Sequence, residues 1–351
     1  MKTLLRLLLK TQHQQNRSGQ AQTEKGMTLV ELLIGAVMAF LIITPMLAFV
    51  VDMLNTDRRE QVKANTEQDI QAAVDFIAQD LSQAIYIYDN DGIKTIKTQL
   101  PDANVNTKIP ILVFWKRQQI KNSVPIDRVI KPNTCSTNPG KCNDTYVLSL
   151  VAYYQVKDKL NIWCQPDGVA ANCPTRIARY EIRDGVRKPD PIAADTNLPY
   201  YNVSDTNPDT QRPDPAFNKD FDFTKPTQNV TLPSGLTNLQ SGARKPEVLV
   251  NYIDHNTPVQ ALSATECQTA LGSPTDPKTA QKLAETTLKV NDPNTDSFYA
   301  CVDTAKNIAR VTIRGNSLRR LQDSNVRSSA DNSAFFPTAT VQVQGRGAAG
   351  K

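Results

Sequence analysis

Few residues in this sequence have the types and spacing that catalysis requires. The chain has two histidines, His13 and His255, so neither a Ser-His-Asp triad nor a His-rich metal site is expected. His255 follows Asp254, and we predict that it lies in a surface loop. No glycine motif for binding nucleotide phosphates occurs. We therefore predict a protein that is not an enzyme and has no cofactor.

The segment DNDG, residues 89–92, has the composition of a calcium-binding loop. Thr98 stands where an EF-hand loop needs a bidentate glutamate, so we predict a β-turn at this segment. Aromatic side chains that can stack on sugars are also present. They lie in segments with strand character, where a place in the core is the commoner role, and they are Trp115, Tyr153, Tyr154 and Trp163.

The six cysteines are candidates for disulfide bonds. None of them forms a C-x-x-C pair, and the intervals of 6, 8 and 33 residues suit neighbouring disulfides in an oxidising compartment better than a zinc site. Sequential pairing is the simplest of about 15 possible connectivities, and buried or surface thiols are the alternative. The candidates are Cys135, Cys142, Cys164, Cys173, Cys267 and Cys301.

Glu31 is a carboxylate at the start of a strongly apolar segment. The residues from Leu32 to Val51 are 20 consecutive positions without a formal charge. As a helix this run spans about 30 Å, the thickness of a bilayer's hydrocarbon core. Thr28 and Glu31 also have the spacing of a capping box, in which each side chain bonds a free backbone N–H of the other. The cap is compatible with a further role for Glu31.

Three interpretations of the apolar run compete. A buried core helix normally has a polar stripe, which this run lacks. A secretory signal peptide has a shorter apolar region followed by small residues, whereas VVDMLNTD follows this one. The third interpretation, a retained membrane helix whose hydrophilic leader is removed, is favoured because the helical pattern continues beyond the membrane. Its apolar positions are Val62, Ile70, Ala73, Ile77, Leu81 and Ala84, with Glu67, Asp69, Asp75 and Asp80 largely on other faces.

We therefore predict one helix over residues 27–88, transmembrane at about 29–54 and amphipathic at 55–88. Pro45 should kink or loosen it, because proline removes a backbone donor and clashes with the preceding turn. The formal charge is +5, but residues 1–26 contribute five basic residues against Glu24, which leaves only +1 for the rest. This distribution favours a cytoplasmic N-terminus and gives no indication of nucleic-acid binding.

The sequence around Gly26 resembles the class III signal of type IV prepilins and pseudopilins. A basic leader, residues 1–26, ends at Gly26, Met27-Thr-Leu-Val-Glu31 follows, and a long apolar helix comes next. The resemblance implies that a prepilin peptidase cuts after Gly26 and that the new amine of Met27 becomes methylated. It also implies that Glu31 is the family's assembly glutamate, which meets the Met27 amine of a neighbour or of its own chain. Most members have Phe where Met27 stands.

The resemblance extends beyond the membrane segment. AVDFIAQDLSQAIYIYD is similar to the helix end of large PilW-type minor pilins, and EVLVNYIDH and IARVTIRGNSLRR are similar to strands of that group. Within it, the pseudopilins of hormogonium polysaccharide secretion and gliding in filamentous cyanobacteria are the most similar. The implied fold is α+β and type IV pilin-like, a long N-terminal helix packed on a mainly antiparallel sheet.

Residues 89–351 are expected to form the β-rich head. Strands are predicted at 109–116, 146–156, 160–164, 175–185, 247–253, 307–315 and 338–345. The segment 186–246 carries nine prolines and is predicted to be an extended insertion without a core of its own. A second insertion, 272–297, is predicted to hold a short helix in PKTAQKLAETTLKV.

The resemblance implies a structural subunit of a type IV pilus-like or type II secretion-like apparatus, placed at the tip or in a priming complex. Expected partners are other pilins, the prepilin peptidase, the inner-membrane platform with its ATPase, membrane lipid and a polysaccharide. The expected location is the inner membrane with a periplasmic head, then a fibre at the cell surface. The alternative is a carbohydrate-binding or adhesive protein anchored by one membrane helix.

Overall fold

The fold is described from a computed structural model. The structure describes residues 28–102, 105–127, 129–158, 161–164, 173–189, 199–231, 246–256, 261–321 and 326–348. The leader, with Gly26 and Met27, lies outside these ranges. The chain divides into two compact units, Met1–Asp57 and Arg58–Lys351.

Helix α1 (Leu29–Ser82) contains 54 residues. In the first unit its side chains are exposed, including Leu29, Phe40 and Phe49. A helix satisfies its backbone hydrogen bonds internally, so an apolar helix needs no neighbouring element to cover its main chain. The long N-terminal apolar helix that the sequence predicts is confirmed.

In the second unit, α1 enters the core through one stripe of side chains. The buried residues recur at intervals of three and four, as one face of a helix requires. Asp80 belongs to this stripe, because it lies three residues after Ile77 and therefore on the same face. Its predicted place on another face was wrong. The buried residues of α1 are Thr66, Ile70, Ala73, Val74, Ile77, Asp80 and Leu81.

The helix ends at Ser82, earlier than the predicted limit at residue 88. Ala84–Ile87 form strand β1, which pairs with strand β2 (Lys108–Pro125) and places Tyr86 opposite Trp115. The local sequence Ile-Tyr-Ile-Tyr consists of β-branched and aromatic residues, which fit a pleated surface. Pairing with β2 therefore outweighs the helical periodicity in this segment.

Two antiparallel sheets complete the second unit, and an α+β layout results. The first sheet has five strands in sequence order: β1, β2, β3 (Cys142–Val156), β4 (Thr175–Arg183) and β5 (Glu247–Ile253). The second has four strands, also in sequence order: β6 (Lys289–Asp292), β7 (Thr295–Asp303), β8 (Ile308–Arg314) and β9 (Thr338–Gln344). The strand pairs of the described residues are antiparallel, as predicted.

One hydrophobic core joins α1 to both sheets. Ile70 and Ile77 of α1 pack in the same cluster as Phe114 of β2 and Val311 of β8. These side chains are almost fully removed from solvent, and burial of such aliphatic and aromatic groups is worth about 1.5–3 kcal/mol each. The second half of α1 is therefore a structural part of the head.

Two local predictions were wrong, and a third was correct only in part. In the predicted strand 160–164, the described residues Asn161–Trp163 form a 3₁₀ turn instead. The DNDG segment is not a plain β-turn, since Asp89 caps helix α2 (Asn90–Ile96) by accepting the N–H of Gly92 at 2.8 Å. The short helix predicted within 277–290 is present as α4 (Glu285–Leu288), but the following residues of the predicted insertion form strand β6. A short helix α3 (Glu266–Ala270) precedes it.

The proline-rich segment 186–246 is largely irregular where the structure describes it, with one 3₁₀ turn at Val203–Asp205. It nevertheless contributes to the main core. Phe217 and Val230 belong to the same buried cluster as α1, and Phe221 stacks on Trp115 with ring centroids 4.2 Å apart. The insertion therefore covers one side of the first sheet.

Candidate functional site

The first unit holds the residues to which the sequence assigns a role. From Leu29 the apolar side chains are exposed, and an 18-residue window of α1 has a mean hydropathy of 2.5 with none of it buried. By length and composition this helix could cross a membrane, which is consistent with a single-pass anchor. No other helix of the described residues meets the same criteria.

Glu31 lies in the first turn of this helix. The Oγ1 atom of Thr28 accepts the backbone N–H of Glu31 at 3.3 Å, and the Thr28 carbonyl accepts the N–H groups of Glu31 and Leu32 at 3.0 and 3.1 Å. Thr28 thus supplies one half of the expected capping box. A carboxylate in the first turn is also favoured by the helix dipole. The Glu31 side chain is exposed and free to meet a group from outside this helix.

Pro45 lies inside α1, and the helix is continuous through it. A proline has no N–H to donate to the carbonyl four residues earlier, which belongs to Leu41. The neighbouring Thr44 hydroxyl donates to the Phe40 carbonyl at 2.8 Å. This carbonyl lies one residue before the Leu41 carbonyl, which has lost its N–H donor. Whether the axis bends at Pro45 stays a prediction.

A cluster of buried charges lies in the second unit, where α1 crosses the first sheet. The Asp80 carboxylate accepts Lys116 Nζ at 2.9 Å, Arg179 Nε at 2.8 Å and the Tyr153 hydroxyl at 2.7 Å. Glu181 completes it, with its carboxylate 2.8 Å from Arg179 Nη1 and 3.8 Å from Lys116 Nζ. Two acids therefore face two bases, and the cluster is neutral overall.

The charges in this cluster stabilise one another. Burial raises the pKa of Asp80, but Lys116 and Arg179 lower it by more, and the pKa lies below its usual value of 3.8. Glu181 behaves in the same way, with its pKa below 4.5. Burial and the Asp80 charge raise the pKa of the Tyr153 hydroxyl well above 10.0, so this group stays a proton donor.

The geometry of the cluster is that of a structural lock. A buried ion pair adds little net stability over an apolar contact, but it is costly to break and can fix one arrangement over its competitors. Here a single carboxylate of α1 is bonded to residues of β2, β3 and β4, which sets the position of the helix on the sheet. Helical spacing could have indicated this site, because Asp80 lies three residues after Ile77 and therefore on the buried face of α1.

The six cysteines form three disulfide bonds between sequential pairs: Cys135–Cys142, Cys164–Cys173 and Cys267–Cys301. The first closes the loop between β2 and β3, and the third joins α3 to β7. Both members of these two pairs are buried. Disulfides of this kind persist in oxidising compartments.

The aromatic residues considered for sugar stacking lie mostly inside the head. Trp115, Tyr153 and Tyr154 are at most 1% exposed, so their faces cannot meet a ligand. Trp163 is half-buried and lies under the guanidinium of Arg176, 5.2 Å from its ring centroid. His255 is half-buried in the loop after β5 rather than fully at the surface.

A recess of about 420 Å³ lies beside the loop that Cys135–Cys142 closes. Its walls include Ile130, Pro132 and Tyr201, and the Lys131 ammonium pairs with Asp205 across it at 2.8 Å. These proline, aliphatic and tyrosine walls offer apolar contact area to a ligand. They do not place a nucleophile beside a general base. Within the part of the chain that the structure describes, no group of three or more His, Cys, Asp or Glu side chains is placed to hold a metal ion.

Comparison of the chain with protein-family models, with curated proteins and with solved structures finds no match. The functional interpretation therefore rests on the sequence motif and on the geometry of the two units.

Proposed function

We propose that this chain is a minor pilin or pseudopilin, a non-enzymatic structural subunit of a type IV pilus-like or type II secretion-like apparatus. One observation carries the proposal: an exposed apolar helix begins at Leu29, has Glu31 in its first turn, and continues as a core element of an α+β head. Stored in the inner membrane, such a subunit can later pack its helix among parallel helices of a fibre.

The proposed contact between neighbouring subunits depends on the charge of Glu31. A carboxylate costs about 2.5–3.5 kcal/mol near the centre of a bilayer on insertion scales, and less near its edge, where Glu31 lies; a cation beside it offsets the cost that remains. Cleavage after Gly26 by a prepilin peptidase creates a cation at Met27 in the same layer. In a fibre the Glu31 carboxylate of one subunit meets the Met27 amine of its neighbour, and the pair sets the axial register.

The head fits the same proposal. An antiparallel sheet packs on the second half of α1, as a pilin-like fold requires, and the disulfides suit a periplasmic or extracellular location. The energy for assembly comes from partners, an inner-membrane platform and its ATPase. A polysaccharide is the proposed cargo, in secretion or gliding motility.

The size of the head favours a place at the tip of the fibre or in a priming complex with other minor subunits. The second unit runs from Arg58 to Lys351, which is large for a shaft in which neighbours pack closely. Immunogold labelling of native fibres should show the head at their ends. Even labelling along the fibres would contradict this placement.

A membrane-anchored carbohydrate-binding protein is the second candidate. It shares the single apolar helix but needs neither Glu31 nor a cut after Gly26. Burial of Trp115, Tyr153 and Tyr154 removes three of the side chains that it would have used for stacking. The recess beside Tyr201 is the feature of the described residues that favours it.

Replacement of Glu31 separates the two candidates. We expect Glu31→Ala to insert into the membrane normally and to be cleaved, but to abolish fibre-dependent secretion or motility, because the Met27 amine loses its counter-ion. Asp52→Ala, at the other end of the uncharged run, is the matched control and should keep function. Normal fibres with Glu31→Ala would exclude the proposed register pair.

A further inference from the structure

The four edges of the two sheets differ in how they are protected. An open strand edge presents unpaired N–H and C=O groups, and native proteins usually shorten it, bend it, charge it or cover it. The edges here are β1 and β5 in the first sheet and β6 and β9 in the second. The first three carry such devices.

Strand β1 is short, irregular and covered. It has four residues with a register shift, and Asn307 Nδ2 bonds its Ala84 carbonyl at 3.0 Å. The backbone after β9 lies directly against it, since a Cβ added to Gly347 would clash with the Ile85 carbonyl oxygen. No further strand can pair there without displacing these residues.

Strands β5 and β6 are protected in other ways. The pairing of β5 with β4 has two register shifts, and Asn316 N–H already occupies the Tyr252 carbonyl at 2.9 Å. Strand β6 has four residues, carries charges at Lys289 and Asp292, and continues directly from α4. Both edges are therefore poor templates for another strand.

Within the described part of the chain, none of these devices protects strand β9. Its sequence TATVQVQ contains no charge and no proline, and its seven residues pair with β8 without a register shift. Exposed and half-buried side chains alternate along it: Thr338, Thr340, Gln342 and Gln344 are exposed, and Ala339, Val341 and Val343 are half-buried. Such a strand is regular and uncharged, and every second side chain along it is exposed.

The hydrogen-bond pattern identifies which backbone groups are open. Gly315 N–H donates to Pro337 at 2.9 Å, and Gly345 N–H donates to Asn307 at 2.9 Å, so the odd-numbered residues of this segment face β8. The N–H and C=O groups of Thr338, Thr340, Gln342 and Gln344 therefore point away from the sheet. They recur about every 7 Å, a spacing that another extended backbone matches.

The direction of α1 excludes an antiparallel dimer of two β9 strands in the proposed fibre. At the start of β9, Gly315 approaches Ile70, and at its end Gly345 approaches Ala84, so the second half of α1 runs parallel to β9. Antiparallel pairing of two β9 strands would make these helices antiparallel. The proposed fibre has parallel helices, so it does not accommodate an antiparallel pair of β9 strands, and we take the partner strand from a different subunit.

We propose that β9 is a docking edge for an extended segment of a neighbouring, different subunit, which adds a fifth strand to the second sheet. Main-chain hydrogen bonds supply the affinity in this mode, and the exposed Thr and Gln side chains flank the added strand. The inference rests on the proposed function as a fibre subunit. It names the surface and the chemistry by which the head would meet its neighbour.

Hydrogen exchange tests the proposal directly. The full-length chain is extracted from native membranes both dispersed and within its native assembly, and amide exchange is read at single residues by fragmentation mass spectrometry. We expect the amides of Thr340 and Gln342 to exchange freely in the dispersed chain and about tenfold or more slowly in the assembly. Val341, whose N–H faces β8, should be protected in both. Equal rates for Thr340 and Gln342 in the two samples would overturn the proposal.

A matched pair of variants gives a second test. Gln342→Pro removes one outward N–H, whereas Gln342→Ala keeps it. We expect Gln342→Pro to lower incorporation into the assembly about tenfold relative to Gln342→Ala, because one outward hydrogen bond is lost and the added strand is obstructed. If Gln342→Pro fails to fold, Gln342→Lys takes its place in the test. This variant keeps the N–H but adds a charge to the strand edge, and it should also lower incorporation relative to Gln342→Ala.

The outcomes separate this inference from the proposed function. Equal incorporation of the folded Gln342→Pro and Gln342→Ala variants would overturn the docking edge. A dimer of the dispersed chain that Gln342→Pro abolishes would also overturn it, since the strand bound to β9 would then come from a second copy of this chain. N-terminal analysis of the same samples is independent. A chain that starts at Met27 with an unprotected edge contradicts the docking edge alone, and a chain that keeps its leader contradicts the pilin proposal.

Discussion

Two carboxylates of α1 have contrasting environments. Glu31 is exposed in the first turn, whereas Asp80 is 7% exposed and bonded to Lys116, Arg179 and Tyr153. The same functional group is therefore open to a partner from outside the chain at one end of the helix and bonded within the head at the other. The surroundings, and not the residue type, determine which role each carboxylate has.

We predict that Asp80→Asn destabilises the head by about 3–5 kcal/mol, because loss of one partner leaves buried charges uncompensated. Urea unfolding of the detergent-solubilised full-length chain, followed by the fluorescence of the buried Trp115, measures the change. Asp75→Asn is the matched control. It lies on the exposed face of α1, accepts a hydrogen bond from Gln71 at 3.0 Å, and should change stability by less than about 0.5 kcal/mol when replaced. Equal stability of the two variants would contradict the lock.

The same cluster predicts how stability depends on pH. The pKa values of Asp80 and Glu181 are lowered in the folded state, so their stabilisation is fully present above the unfolded values of 3.8 and 4.5. It is lost as the pH falls through the lower folded values, when protons bind to the unfolded chain first. We expect the thermal midpoint to stay level from pH 7 to 5 and to fall below pH 4. The fall should be smaller in Asp80→Asn, and an equal fall would contradict this assignment.

At the scale of elements, the three disulfides close loops of different length. The sequence separations are 7 residues for Cys135–Cys142, 9 for Cys164–Cys173 and 34 for Cys267–Cys301. A crosslink stabilises a fold partly by restricting the unfolded chain, and the effect grows with the logarithm of the loop. The pair that joins α3 to β7 should therefore matter most.

We predict that replacing both Cys267 and Cys301 by Ala destabilises the head by about 4 kcal/mol, and replacing both Cys135 and Cys142 by about 2.5 kcal/mol. Urea unfolding of the two double variants under the same conditions measures the difference. The opposite order would show that local strain or packing, rather than loop closure, governs these bonds.

The sequence was informative where one periodic signal extended over many residues. The long uncharged run, the stripe at Ile70 and Ile77, and the alternation in β4 and β8 each predicted the correct element. The errors fall where local and tertiary preferences compete. Residues 84–87 continue a helical pattern but gain a partner strand in β2, and Lys289 and Val290, at the end of the segment predicted to hold a helix, pair with β7.

The site was less predictable than the fold. Thr28 and Glu31 could be recognised because a cap depends on neighbouring residues. The Asp80 cluster could not be assembled from the sequence, because its members lie on α1, β2, β3 and β4, and only the sheet register brings them together. The open edge of β9 likewise follows from strand order, which the alternation within one strand does not specify.

At the scale of the whole molecule, the proposal divides the chain into a membrane unit that assembles and a head that is displayed. The first unit offers an exposed apolar helix with one carboxylate, and the second offers a core built around the continuation of the same helix. A fibre subunit needs both properties. The second half of the helix is bonded to the first sheet through Asp80 and belongs to the core of the head.

The most direct test is the intact mass and N-terminal sequence of the chain extracted from native membranes. The account predicts a mature chain that begins at Met27, with a methylated amine, because only then does Glu31 acquire a cation within the bilayer. A native chain that still begins at Met1 would contradict the account, since the partner of Glu31 would never form.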